Sequence, residues 1–164
     1  MSTSTEPRIR ELDRAEMDAI LGRNHVGRMA YERRGRVEIE PIHYVYADGW
    51  LYLRTSHGEK YRSMAESFYS VVPVAFEVDE VEELFRWRSV VVHGSAYLVP
   101  HPGEGGDPAQ WSGAVAQLRK LLPEALTGSD PMPARNLVFR IAVQEATGRE
   151  CTPPDAAERA DADA

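Results

Sequence analysis

The stretch "GRVEIEPIHYVYADGWLYLRT", residues 35–55, constrains the fold more than any other part of the chain. Apolar and polar residues alternate from Val37 to Glu40, and aromatic and aliphatic residues continue the run to Tyr46. A period of two is the signature of a strand with one face buried. Asp48-Gly49 then interrupts the pattern before it resumes at Trp50. Both central residues of a two-residue hairpin turn need positive φ, which Asp and Gly tolerate. Two antiparallel strands joined by a tight turn are therefore expected here.

Other segments follow the same logic. "HVGRMAYER" reads as a strand separated from the first by "RRG", and "SVVPVAFEVD", "FRWRSVVVHGSAYLVP" and "NLVFRIAVQEA" read as three more. Pro73 has no amide to donate, so it belongs near an edge, a strand start or a bulge. Gly94 marks a bulge or a close approach. Short helices are expected at "DRAEMDAILG", with Asp13 and Glu16 as a capping box and Gly22 at its stop, and over 59–68, where Tyr61, Met64, Ala65 and Phe68 share a face. A third begins with Asp107 as cap and Pro108 at its first position, carrying Trp111, Val115, Leu118 and Leu122 on one side. Roughly six strands with hairpin connections and two or three helices predict a mostly β, antiparallel barrel. The βαβ alternation and glycine fingerprint of a dinucleotide-binding sheet are missing.

At 164 residues the chain fits one domain, expected over 8–147, with a flexible start at 1–7 and a disordered Pro-, Asp- and Ala-rich tail at 148–164. Nineteen Lys and Arg against 26 Asp and Glu give a net charge of −7, which argues against a nucleic-acid partner. Nothing resembles a membrane span or a secretory leader, and Cys151 is the one cysteine, so a cytoplasmic setting is expected.

Residues 54–62, "RTSHGEKYR", gather hydroxyls, a glycine and cations where a strand gives way to a helix. A helix start favours anions, and Thr55, Ser56, Arg54, Lys60 and Arg62 could cradle a phosphate. The plainer reading is that Thr and Ser cap the helix while the cations are solvated. His25, His43, His57, His93 and His101 lack metal-ligand spacing, so no metal site is expected. Strand histidines such as His43 and His93 are ordinarily half-buried and hydrogen-bonded, although a haem role stays open. No serine sits in a nucleophile elbow. The acidic run "EVDEVEELF" reads as a solvated turn or helix, and the tryptophans as packing residues.

Across "EIEPIHYVYADGWLYLRTSHGEKYRSM" and "FEVDEVEELFRWRSVVVHGSAYLV" the chain resembles the pyridoxamine 5′-phosphate oxidase-like split-barrel family. It is most similar to the branch of flavin-nucleotide-binding and nitroimidazole-resistance-type proteins. The resemblance implies an FMN-binding split β-barrel that works as a homodimer, with cofactor in clefts at the subunit interface. Ile42 and His43 would run beside the flavin ring, largely through backbone groups. Leu53, Arg54 and Thr55 would lie against the flavin and its phosphate arm, Lys60 would bind the phosphate, and Ser89, with Arg88 beside it, would approach from a neighbouring strand. Glu59-Lys60 stands where the oxidases tend to carry Arg-Lys. Their C-terminal Trp and Arg motif is incomplete, so oxidation of pyridoxine 5′-phosphate is not the expected reaction. Flavin-dependent redox chemistry on a small organic molecule is expected instead. A deazaflavin-dependent reductase and a non-enzymatic flavin- or haem-binding protein are the alternatives.

Overall fold

The computed structural model describes residues 5–56 and 72–154. Eight strands make one sheet: β1 Arg8–Glu11, β2 Val26–Arg33, β3 Arg36–His43, β4 Val45–Ala47, β5 Trp50–Thr55, β6 Val72–Glu83, β7 Arg86–Leu98 and β8 Leu137–Thr152. Among the described residues two α-helices accompany them, α1 Arg14–Arg23 and α2 Pro108–Leu121, with a short 3₁₀ turn at Pro102–Glu104. Every strand pairing is antiparallel, in the order β3-β2-β6-β7-β8-β5-β4, with β1 on the free side of β8.

The chain itself shows that this sheet is rolled up. β3 and β4 are the two outermost strands of the order, yet only Tyr44 separates them in sequence. Its amide still bonds the His25 carbonyl at 2.9 Å beside β2, and one residue later Val45 pairs with Tyr52 of β5. One residue spans less than 4 Å, so the two edges must meet. They meet without a ladder between them, which is what makes the barrel split.

The Asp48-Gly49 turn has the expected backbone, and the turn in "RRG" shares it. Asp48 and Gly49 sit at φ 49° and 81°, and Arg34 and Gly35 at 51° and 76°, all in the left-handed region. Gly94 coincides with a register shift between β7 and β8, and a Cβ there would lie 1.8 Å from the Ala142 carbonyl oxygen. Pro73 is the second residue of β6, where its missing donor matters least.

Three elements depart from expectation. "EVDEVEELF", expected as a solvated turn or helix, is strand up to Glu83, and only Leu84-Phe85 make a turn, into β7. α1 has its capping box at Asp13 and Glu16, but it runs through Gly22 to Arg23 and stops at Asn24. β8 extends to Thr152, past Gly148, where the tail was expected to begin, and Cys151 is buried. The cause is a non-local pairing. Residues 149–152 lie between β7 and β1, and the polar segment "RIRE" becomes β1 by pairing with them.

The barrel encloses one core, in which Met29, Tyr44, Leu51, Leu53, Phe76, Val78, Val90, Val92, Phe139 and Ile141 are essentially inaccessible. α1 stops one end of it with Met17, Ile20 and Leu21. The phenol of Tyr44 donates to the Leu21 carbonyl at 2.7 Å and its ring meets Phe76 edge-on, so burial pushes its pKa up. α2 covers the outside, where Ala114 and Leu118 pack on Val99 and Val138.

Candidate functional site: a split in the barrel and an outer groove

The residues expected to touch a cofactor fall into two places. Ile42 and His43 end β3, which among the described residues has a neighbour on one side only, so no described strand pairs with its outer row of backbone groups. Ile42 points into the core and His43 is exposed. The β4–β5 ladder begins with Val45 opposite Tyr52, two residues past His43, and β3 and β5 come close to each other. Ile42, His43, Leu53, Arg54 and Thr55 therefore share the mouth of the split.

Their side chains differ in availability. Leu53 is fully buried in the core. Arg54 is committed elsewhere: its Nη2 donates to Asp130 Oδ1 at 3.1 Å, its Nη1 to Asp130 Oδ2, and Nη1 also reaches the Arg135 carbonyl. The pair is enclosed, with Arg54 11% and Asp130 2% exposed at the side chain. The Arg54 hydrogen bonds, helped by amides of Leu126 and Met132, hold the Asp130 carboxyl well below the usual carboxylate range. Arg54 thus staples the loop after α2 to β5. Thr55 is half-buried at the strand end, while Lys60, Arg62 and the helix expected over 59–68 lie outside the described residues.

Ser89 belongs to the second place. The rung Asp79–Ser89 of β6 and β7 continues to Val26 and His43 when the β2–β6 register is extended by two residues. Ser89 and His43 are then three strand spacings apart, about 14 Å measured around the curved sheet. Ser89 faces outward into an open groove of about 560 Å³, lined by Glu11, Leu12, Trp87, Val91, Thr147 and Arg149 among others. Arg149 lies directly opposite Ser89 in the ladder.

Strand alternation sends Arg88 to the other face from Ser89. Its Nε donates to Glu150 Oε2 at 2.7 Å, and Nη1 lies 4.0 Å from Glu80. Arg10 meets the same Glu150, and Arg23 and Asn24 meet Glu80. Arg88 is a member of this ion-pair chain under α1, so its side chain and that of Ser89 do not face one ligand together. Trp87, Thr147 and Arg149 were not singled out as groove residues from the sequence, the last two because they were expected at the edge of the fold or in the tail. Asp130 was not singled out from the sequence either.

A family model described as pyridoxamine 5′-phosphate oxidase matches residues 13–150, the whole barrel except β1 and the last two residues of β8. The chain belongs to the pyridoxamine 5′-phosphate oxidase family. Solved structures agree. A FAD-binding protein from Mesorhizobium loti is 30% identical, with 88% of this chain and 99% of that one covered and a TM-score of 0.66. A FAD-binding protein from Mycobacterium smegmatis is 21% identical over 85% and 98%, with a TM-score of 0.62. A FAD- and haem-binding protein from the same organism is 19% identical over 92% and 78%, with a TM-score of 0.64, a likeness of fold alone. No curated protein matches the chain. Within this pyridoxamine 5′-phosphate oxidase fold, no helix among the described residues is long and apolar enough to cross a membrane.

Proposed function

We propose that the chain binds a flavin nucleotide, FMN in the first instance, and transfers hydride between it and a small organic molecule. One observation carries the reading: β3 ends at Ile42-His43 with a backbone edge that no described strand covers, close to β5, at the mouth of the split. A planar ring with donors and acceptors on its rim suits such an edge, because strand amides and carbonyls are fixed and need no reorganisation. The FAD-binding relative at 30% identity supports a flavin over other planar ligands.

The chain's own groups divide the work. Backbone groups of Ile42 and His43 orient the ring, and Leu53 backs the strand from the core side. Thr55 and Lys60 hold the phosphate, while Arg54 keeps the neighbouring loop in place. Ser89 serves a second cleft wall. A bound flavin supplies hydride transfer through its ring, which accounts for the absence of an obvious acid–base pair among the described residues.

Two copies complete the site in this reading. Val37, Ile39 and Val81 are 80%, 68% and 65% exposed on the outside of the sheet, and Leu84 and Phe85 project from the β6–β7 turn. Apolar surface of this kind is what a two-fold interface covers. Purified protein is mixed with FMN or FAD, freed of excess ligand, and its visible spectrum recorded before and after NADPH. Retained flavin bands that bleach with NADPH are expected. Protein that retains neither flavin overturns the proposal, and a Soret band in the fresh protein turns it toward a haem-binding role.

A further inference from the structure

We infer that the outer groove beyond Ser89 is a nucleoside site, taking a purine ring on Trp87 and the ribose hydroxyls on Glu11. The groove has a volume of about 560 Å³, a size that takes a whole small molecule. Leu12, Val91 and Ala146 give it an apolar lining, and Trp87, half-buried, adds a ring to it. Glu11 and Arg149 are cross-strand neighbours in the β1–β8 ladder, and Arg149 in turn lies opposite Ser89. Trp87 stands two residues before Ser89 in β7, so strand alternation puts both on the same outer face. Glu11 and Trp87 thus flank the groove on strands two spacings apart, about 10 Å across the sheet.

The chemistry of the ligand follows from charge and polarity. Among the described residues no ion pair joins Glu11 to Arg149, so the carboxylate keeps its acceptor positions for a guest. The two charges offset each other, which favours a group that is itself uncharged. A carboxylate accepts from two adjacent hydroxyls at once, and both bonds are charge-assisted. A flat heteroaromatic base stacks on an indole face, and Thr147 and Arg149 supply donors for the nitrogens on its rim. A nucleoside carries the base and the vicinal diol at opposite ends of one small molecule. Glu11 belongs to β1, outside the matched family region, so the chain's own first strand adds this acceptor to the shared barrel. In the flavin reading such a nucleoside is the adenosine half of FAD or of the nicotinamide donor. That assignment rests on the flavin reading, whereas the site itself does not.

The test uses the full chain, with binding read by calorimetry and by tryptophan fluorescence. Adenosine is the probe, and 2′-deoxyadenosine, which lacks one hydroxyl of the diol, is its control. Saturable binding of adenosine is expected, with the deoxy form at least about tenfold weaker. Glu11→Gln should erase most of that difference, and Trp87→Ala should weaken adenosine itself by at least about tenfold. FMN and FAD are then compared, and adenosine is set against NADPH. A preference for FAD that is lost in Trp87→Ala assigns the site to FAD, and competition with NADPH assigns it to the donor. Adenosine binding with neither effect makes a free nucleoside the ligand. Adenosine that does not saturate, that binds no better than its deoxy form, or that binds undiminished to folded Glu11→Gln and Trp87→Ala overturns the site. FMN retention is read separately by absorbance, so failure here leaves the flavin proposal standing.

Discussion

Arg54 shows how one residue can carry a charge that looks available in sequence and is not. Its position at the end of β5 fits a phosphate ligand, yet its fork is closed on Asp130 inside the protein. Removing one partner of an enclosed pair leaves the other without compensation. Arg54→Ala should therefore lower Tm by at least about 5 °C. Asp130→Asn, which keeps an acceptor oxygen for a loop amide, should cost less. Thermal unfolding followed by circular dichroism checks both, and equal Tm values for wild type and Arg54→Ala would show the staple to be idle. Lys60 is the opposite case, since the phosphate assignment falls mainly on it. Lys60→Ala should weaken flavin binding by about 1.5–3 kcal/mol, the worth of one charge-assisted hydrogen bond, with Tm unchanged. Fluorescence titration with FMN decides it, and unchanged affinity removes Lys60 from the site.

At the scale of elements, what was legible depended on whether the signal was local. The Asp48-Gly49 turn, the Asp13 and Glu16 box, the Asp107-Pro108 start of α2 and the Gly94 bulge each declare themselves within a few residues, and each is where the sequence put it. β1 and the last turn of β8 were illegible for a reason that runs the other way. "RIRE" and "GRECT" are mostly polar, and Arg10, Glu150 and Arg88 pair with one another there, so neither looks like a strand without its partner, some 140 residues away. Of the site, the β3 and β5 strand ends could be read, but not the closure of Arg54 on Asp130 or the placing of Arg149 across from Ser89.

The same ion-pair chain ties down α1. Glu80 takes hydrogen bonds first from Arg23 and also from Asn24, which lower its pKa to about 2 from 4.5. A carboxylate with a depressed folded pKa stabilises fully above its unfolded value, and the contribution fades as pH falls toward the folded one. Stability should thus drop between pH 4.5 and about 2 in part through Glu80. Glu80→Gln should be less stable than wild type at neutral pH and should flatten that acid limb. Urea midpoints measured across the range test this, and parallel curves would exclude Glu80 as a contributor.

For the molecule as a whole, the proposed dimer makes cofactor binding and association one event. Val37 and Val81 are exposed on the outer face, where a charge costs the lone barrel little, because neither side chain enters the core. Val81→Asp should leave the barrel folded and shift a dimer toward monomer in sedimentation, and flavin retention should fall with it. A wild-type chain that sediments as a monomer while retaining flavin would separate the two.

The split has a further consequence for the whole barrel. A fully laddered cylinder has its girth set by its hydrogen bonds and cannot widen without breaking a row of them. Here the ring is joined at Tyr44 by a single covalent step, and no rung crosses from β3 to β4. That joint is itself pinned, because the Tyr44 amide bonds the His25 carbonyl and its phenol bonds the Leu21 carbonyl, so any change of bore there has to carry β2 and α1 with it.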